Sequence, residues 1–404
     1  MVLEMDIAKT LLVAVLLLFL GRKIRGKVPF LVKYCIPAPV IGGLIFAFLH
    51  FVLHENDIVT FKFTKTMEVF FMNVFFTASG FSASVSVLKS GGKKIGIFLI
   101  LTSILSALQN GVAVGVAKIM GISPLIGLMT GSTPMTGGHG NAAAFGPIAE
   151  SFGAQGALSV AIAAATFGLI SGCIVGGPTG RYLITKYKLF TKGDKELNEE
   201  IVVGAEGENV SQLDGKKMTN AFFIVFVALG LGSYLADFSK FIFPTVVLPI
   251  HVMGMLGGAL VTNILPLFSS KKESVINLKE IDAIGDISLS LFVSMAIMSM
   301  KLWELSSLAL PLIVLLVAQV VLMVGFAMLV TFPIMGKNYD AAVIASGHVG
   351  FGLGAVPVSM ANMKAVCEEY RYSKIAFFIV PIIGGLFSNF TNAAIITAFL
   401  NMYK

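Results

Sequence analysis

The chain has 404 residues, 56% of them hydrophobic and only 13% charged, with a mean hydropathy of +0.90. Soluble domains are roughly half apolar and about a quarter charged, so this composition points to a lipid-embedded protein. The formal net charge of +7 is carried by Lys and Arg in short loops between apolar runs, which marks topology and argues against a nucleic-acid partner.

A membrane helix needs about 20 apolar residues. In chain order, apolar segments fall at 6–21, 34–53, 69–88, 95–117, 119–149 and 151–180. They resume at 218–236, 241–268, 283–300, 305–335, 341–363 and 375–403. Glu4 and Asp6 precede the first run, and Arg22, Lys23, Arg25 and Lys27 follow it. That order is the reverse of a cleavable signal, so the run reads as a first transmembrane helix with the N-terminus outside. The highly charged stretch 186–217 cannot lie in lipid and reads as a cytoplasmic linker between an N-terminal unit, 1–185, and a C-terminal unit, 218–404. Cys35, Cys173 and Cys367 are far apart in sequence, offer no disulfide framework or metal spacing, and read as small buried residues.

The two units share landmarks in the same order. Ser132 precedes Gly138-His139-Gly140, and Ser346 precedes Gly352-Leu353-Gly354 at the same spacing. Gly42-Gly43 matches Gly257-Gly258, Gln109 matches Gln319, Gly121 matches Gly336, and Gly176-Gly177 matches Gly384-Gly385. Basic residues at 22–33, 89–94, 181–192 and 271–279 belong on the cytoplasmic side. They all reach it only if 119–149 dips into the membrane and returns to the outer side, while the second counterpart dips in from the cytoplasm. Each unit then has five crossings and one re-entrant hairpin, at about 121–148 and 339–363, and the odd number inverts the second copy. The fold class expected is an all-α polytopic membrane protein of inverted repeats, a plan that marks secondary transporters, with both termini outside.

The hairpins carry the chemistry. Gly121, Pro124, Gly127, Gly131, Pro134, Gly137, Gly138, Gly140, Gly146 and Pro147 interrupt the first; Gly347, Gly350, Gly352, Gly354 and Pro357 interrupt the second. Broken helices survive at membrane depth only where buried in protein or lining a cavity. Their half-helix N-termini can hold a carboxylate without a buried cation, and freed carbonyls, hydroxyls and amides suit Na⁺. Ser132, Thr133, Thr136, Asn141, Ser346 and Ser359 supply such groups, with Gln109, Asn110, Gln319, Asn362, Asn389, Thr391 and Asn392 on neighbouring segments. The plainer alternative is that the glycines only permit close helix packing. His139 and His348 lack a nearby acidic or thiol partner for a transition metal, which leaves structural or substrate-facing hydrogen bonding and, secondarily, proton coupling. Arg181 reads as a snorkelling anchor before a substrate contact, and Trp303 as an interface marker.

At the hairpins, Gly131-Ser132 leading to Gly137-Gly138-His139-Gly140 and "GKNYDAAVIASGHVGFGLGAVPVSMANM" at 336–363 resemble the bacterial sodium/glutamate symporter family. So do "GRK" at 21–23, "IPAPVIGG" at 36–43, "ATFGLISGCIVGGPTGRYL" at 165–183 and "LSLFVSMAIMSMKLWELSSLALP" at 289–311. The resemblance implies a homodimer in the bacterial inner membrane that imports L-glutamate with Na⁺ and needs no cofactor. It also implies an elevator transporter, with a dimer scaffold and a mobile transport domain bearing the hairpins. Substrate contacts would fall at Ser132, Thr133, Thr136, Gly137, Gly138, His139, Gly140, Asn141, Ser346, Gly347, His348, Gly350, Gly352 and Gly354. The resemblance extends to Asn362 and the Asn389–Asn392 stretch; together with the polar residues read above, sodium ligands would come from Gln109, Asn110, Gln319, Ser359, Asn362, Asn389, Thr391 and Asn392. The family pattern can hold an acidic residue where Asn389 stands, which puts the ion stoichiometry in question. The alternative is a Na⁺- or H⁺-coupled carrier of another dicarboxylate. An enzyme would want a nucleophile–base pair or metal set, and a channel would want a filter or charged ring; neither is legible.

Overall fold

The computed structural model describes residues 2–85, 92–189, 214–246, 248–268 and 276–404. Most of the expected linker lies outside the described residues. Among those described, six helices are long and apolar enough to cross a membrane: Ala38–Glu55, Gly92–Ile119, Ala157–Lys186, Gly215–Ile242, Leu278–Met298 and Leu310–Ile334. A bent pair covering 374–403 makes a seventh.

The first half runs α1 (Ile7–Lys27), α2 (Pro29–Lys33), α3 (Ala38–Glu55), α4 (Thr66–Phe81), α5 (Gly92–Ile119), α6 (Pro124–Leu128), α7 (Gly138–Ser151) and α8 (Ala157–Lys186). The second runs α9 (Gly215–Ile242), α10 (Ile250–Phe268), α11 (Leu278–Met298), α12 (Ala309–Phe326), α13 (Phe332–Ile334), α14 (Tyr339–Leu353), α15 (Val356–Glu369), α16 (Lys374–Pro381) and α17 (Ser388–Tyr403). Helix starts follow local chemistry. Asp6, Asp214 and Asn338 accept backbone N–H groups as N-caps of α1, α9 and α14. The Lys9 backbone N–H and ammonium hold the exposed Asp6 carboxyl below its usual range. Residues 241–249 were expected to begin a crossing, but Pro244 and Pro249 leave α10 starting at Ile250.

The all-α expectation misses one feature. Strands β1 (Val2–Met5) and β2 (Thr60–Phe63) form a two-stranded parallel ribbon. Phe61 and Phe63 alternate along β2 and both pack on Phe46 of α3, which anchors the ribbon.

Packing at the matched glycines is reciprocal. A Cβ on Gly42 of α3 would stand 1.9 Å from the Leu17 carbonyl of α1, and one on Gly43 would strike Ile297 of α11. A Cβ on Gly257 of α10 would stand 2.3 Å from the Ala228 carbonyl of α9, and one on Gly258 would strike the Thr77 carbonyl of α4. So α3 sits between α1 and α11 as α10 sits between α9 and α4. These six helices form one bundle; α5–α8 and α12–α17 form another. The bundles meet where Phe145 of α7 packs on His251 of α10, which also contacts Phe76 of α4.

Both interrupted segments return to where they began. Ile122, Ser123 and Ile126 at the start of the first line one cavity together with Gly153, Ala154 and Gln155 at its end. At the second, the Tyr339 hydroxyl donates to the Arg371 carbonyl, and Ser373 Oγ donates to Asp340 Oδ1 at 2.6 Å. The turns that precede them use the matched glycines Gly121 and Gly336, whose φ angles of 71° and 121° are left-handed conformations that a side chain disfavours. The two bases lie at different ends of the molecule. Trp303, which lines the first cavity, stacks on His54 beside the ribbon. The second base adjoins the Arg181–Glu369 ion pair at the C-terminal end of α8.

Candidate functional site

Between α6 and α7, residues 129–137 are unwound. Between α14 and α15 the chain breaks at Gly354–Ala355. The two breaks touch: a Cβ on Gly138, the first residue of α7, would lie 3.2 Å from the Gly354 carbonyl. The N-terminal ends of α7 and α15 therefore converge on one point. Each N-terminus carries about half a positive charge, while the C-terminal end of α14 reaches the same point through the Gly354 carbonyl and Pro357 offers no N–H in the first turn of α15. Ser132, Thr133 and Gly354 are buried, while Gly137, Gly138 and Gly140 keep partial exposure. Gly140 faces Phe75 of α4 and Leu289 of α11 across the bundle interface.

An amide network holds the tips together. Gln109 Nε2 donates to the Gly352 carbonyl at 2.7 Å, and Gln109 Oε1 accepts from Thr136 Oγ1 at 2.7 Å. Its matched partner Gln319 donates to the Gln109 carbonyl at 2.9 Å. Gln109 thus brackets both hairpins. Asn110 Oδ1 accepts the Ser132 N–H at 2.8 Å, and Asn392 Nδ2 donates to the Ser132 carbonyl at 3.0 Å. The Ser132 peptide is clamped on both sides. A Cβ on Gly131 would stand 2.5 Å from Asn110 Oδ1, so the clamp needs glycine there.

The second break is packed on α8. Ser346 Oγ donates to the Gly176 carbonyl at 2.9 Å, and Asn362 Nδ2 donates to the Gly172 carbonyl at 3.0 Å. Gly350 packs against the backbone of Ser359, and Gly347 against Met363 and Val380. Buried oxygens of Ser132, Thr133, Asn141, Gln319, Ser359, Ser388 and Asn392, and Asn110 Nδ2, have no hydrogen-bond partner among the described residues.

Other expected positions lie elsewhere. The His348 ring is fully buried in a box of Phe98, Phe326 and Phe351, with Nδ1 2.9 Å from Thr331 Oγ1. His139 Nε2 lies 3.0 Å from Thr166 Oγ1 of α8. Thr391 Oγ1 bonds back to the Ser388 carbonyl, and Asn389 sits half-buried beside it. Arg181 pairs with Glu369 at 2.7 Å, away from the tips. Ser388 and Thr166 were not anticipated. Ser388 stands one helical turn before Asn392, a spacing that puts both on one face and was readable from the sequence. Two π-helical stretches, Ala327–Thr331 and Ile382–Phe387, adjoin Pro333 and Pro381. Proline removes one helical N–H bond, and such turns often re-aim neighbouring residues at functional sites.

The fold and the site define a polytopic membrane protein with a buried, uncharged polar centre built where two interrupted helices meet. The sodium/glutamate symporter family model matches residues 3–372. The sodium/glutamate symporter of Escherichia coli (strain K12) is 38% identical over 402 residues, covering 98% of both chains. That of Haemophilus influenzae is 37% identical over 391 residues, covering 96% of this chain and 95% of its own. The chain belongs to the sodium/glutamate symporter family. These relatives are named as transporters, not as enzymes.

Proposed function

We propose that this protein imports L-glutamate across a bacterial inner membrane by symport with Na⁺, using alternating access. The observation that carries the reading is the meeting of Gly138 and Gly354, which brings the starts of α7 and α15 together at one partly exposed point. Glutamate presents carboxylates, and converging N–H groups with neutral amides suit them. The family's relatives named for sodium and glutamate supply the cargo.

The architecture fits two inverted repeats, 1–185 and 218–404. Reciprocal packing at Gly42-Gly43 and Gly257-Gly258, equivalent turns at Gly121 and Gly336, and hairpin bases at different ends all support that reading. The hairpin-bearing bundle is the transport domain of an elevator, and the bundle of α1, α3, α4 and α9–α11 is the scaffold of a homodimer. The termini lie outside and the linker inside. In support of that reading, the N-terminal ribbon pairs with Thr60–Phe63 and Lys404 contacts Thr245, so each terminus shares a side with a loop that is not among the strongly basic stretches.

Labelled-glutamate uptake into proteoliposomes tests this, with a panel of acidic amino acids and dicarboxylates as competitors. An inward Na⁺ gradient is expected to drive accumulation, and choline is not. Equal uptake in both salts, or preference for a dicarboxylate over glutamate, would overturn the assignment.

A further inference from the structure

We infer that Na⁺ occupies a cage of neutral oxygens behind the first tip: Asn141 Oδ1, Asn392 Oδ1, Ser132 Oγ, Thr133 Oγ1 and Ser388 Oγ. The inference rests on the symport reading above and assigns its ion. All five residues are at most 1% exposed, and all five oxygens lack a hydrogen-bond partner among the described residues. A buried acceptor without a partner costs about 1–3 kcal/mol, so a cluster of this size calls for an occupant.

The residues that carry these atoms meet at the Ser132–Gly137 turn. The Ser132 carbonyl accepts both the Gly137 N–H and Asn392 Nδ2, each at 3.0 Å. A Cβ on Gly137 would stand 2.1 Å from Asn141 Nδ2, so Asn141 lies against the same turn. Ser388 is one helical turn before Asn392 and shares its face.

The chemistry of the free atoms selects a cation. Because Asn392 Nδ2 is committed to the Ser132 carbonyl, its Oδ1 points the other way and can only accept. A carboxylate would repel such an oxygen; a cation or a donor would satisfy it. Five oxygens without a formal charge match Na⁺, a hard ion that takes oxygen ligands. The ammonium group of glutamate is the rival occupant. It belongs at the partly exposed tip, Gly137 to Gly140, since the cage walls are closed.

The position also explains coupling. A cation here ties the unwound 132–133 stretch and Asn141 in the first turn of α7 to α17. It thereby sets the N-terminus that receives the carboxylate. The ion prepares the anion site from behind without touching the substrate.

The test uses the full chain in proteoliposomes. Asn141→Ala, Asn392→Ala and Ser388→Ala are compared with Thr397→Ala, on the opposite side of α17 from Ser388, and with Thr219→Ala in α9. Each lost ligand should raise half-saturating Na⁺ roughly tenfold, the effect of about 1.4 kcal/mol. Half-saturating glutamate at saturating Na⁺ should stay within about threefold of the parent. The two controls should keep the parent's Na⁺ curve. Thermal stabilisation of detergent-purified protein by NaCl over choline chloride, without glutamate, gives a second reading and should vanish in Asn392→Ala. Should either alanine variant fail to insert, Ser388→Ala alone decides the Na⁺ curve. Unchanged Na⁺ dependence overturns the cage. So does lost preference for glutamate over glutarate, which lacks the amine, because that would seat the ammonium group there. Na⁺-independent uptake by the parent protein would instead defeat the symport reading itself.

Discussion

Gly138 is where a single added methyl group should report on the meeting of the tips. Its φ is 61°, in the left-handed region where a side chain costs roughly 1–2 kcal/mol. The new Cβ would also stand 3.2 Å from the Gly354 carbonyl, so the two tips must part by a few tenths of an ångström. Together these put Gly138→Ala at about 2 kcal/mol, or roughly 30-fold in an equilibrium constant. The strain falls on the state with the tips together, so it should appear as raised half-saturating glutamate, with normal insertion. Gly138→Asn adds the same Cβ but tolerates positive φ better, and should recover part of the loss. Gly96→Ala in α5 meets nothing within 4 Å and should transport normally. Initial uptake rates against glutamate concentration at saturating Na⁺, normalised to inserted protein, give the comparison. If all three variants saturate like the parent, the tips do not form the site.

Gln109→Leu leaves the Gly352 carbonyl and Thr136 hydroxyl without their partner, at about 1–3 kcal/mol for each buried group; initial uptake rates should fall at least tenfold with unchanged membrane abundance. A reporter inserted within 192–215 should read cytoplasmic and one fused after Lys404 should read external, and the same side for both would remove the inversion. The Cys35 thiol, before α3, lies beside that of Cys173 in α8, so the two bundles can be cross-linked without engineering. A short bis-maleimide should join them and arrest uptake, Cys35→Ser should abolish both effects, and full uptake after cross-linking would refute movement between the bundles.

The six or seven long apolar helices and the two interruptions at 129–137 and 354–355 were legible because they rest on counting: about 20 apolar residues make a span, and glycine with proline at high density breaks one. The matched Gly121 and Gly336 both proved to be left-handed turns, and Gln109 and Gln319 both proved to lie in one amide network. What stayed hidden depends on direction. Asn389, Thr391 and Asn392 are equivalent in composition, but only Asn392 sits on the helix face that reaches Ser132. Ser388, on that face, was passed over. His139 and His348 both stand near the tips in sequence, yet the rings turn away to Thr166 and into an aromatic box. The terminal ribbon escaped notice because a four-residue strand carries little periodic signal.

Among the described residues no charged side chain stands in the two breaks, 129–141 and 346–356, which bears on coupling. A dehydrated ion left alone in a low-dielectric site costs several kcal/mol even after relaxation. Glutamate at neutral pH carries one net negative charge, and a fixed Arg would bind it without help from Na⁺. It would also leave an unpaired buried cation after release, itself costly to move through the bilayer. Dipoles avoid both problems. On the proposed assignment of the two sites, Gly138, Gly354 and the amides of Gln109, Asn110 and Asn392 offer partial charges that favour anion and cation on opposite sides of one peptide turn, without leaving net charge when empty. Each ion then lowers the cost of the other, at an effective dielectric constant where charges a few ångströms apart exchange several kcal/mol. On that argument, introducing a fixed cation, as in Asn110→Lys, should loosen the dependence of glutamate binding on Na⁺ while slowing return of the empty carrier. Exchange of glutamate across the membrane should therefore survive better than net uptake. Equal loss of both would mean that the site's neutrality is not what links the two cargoes.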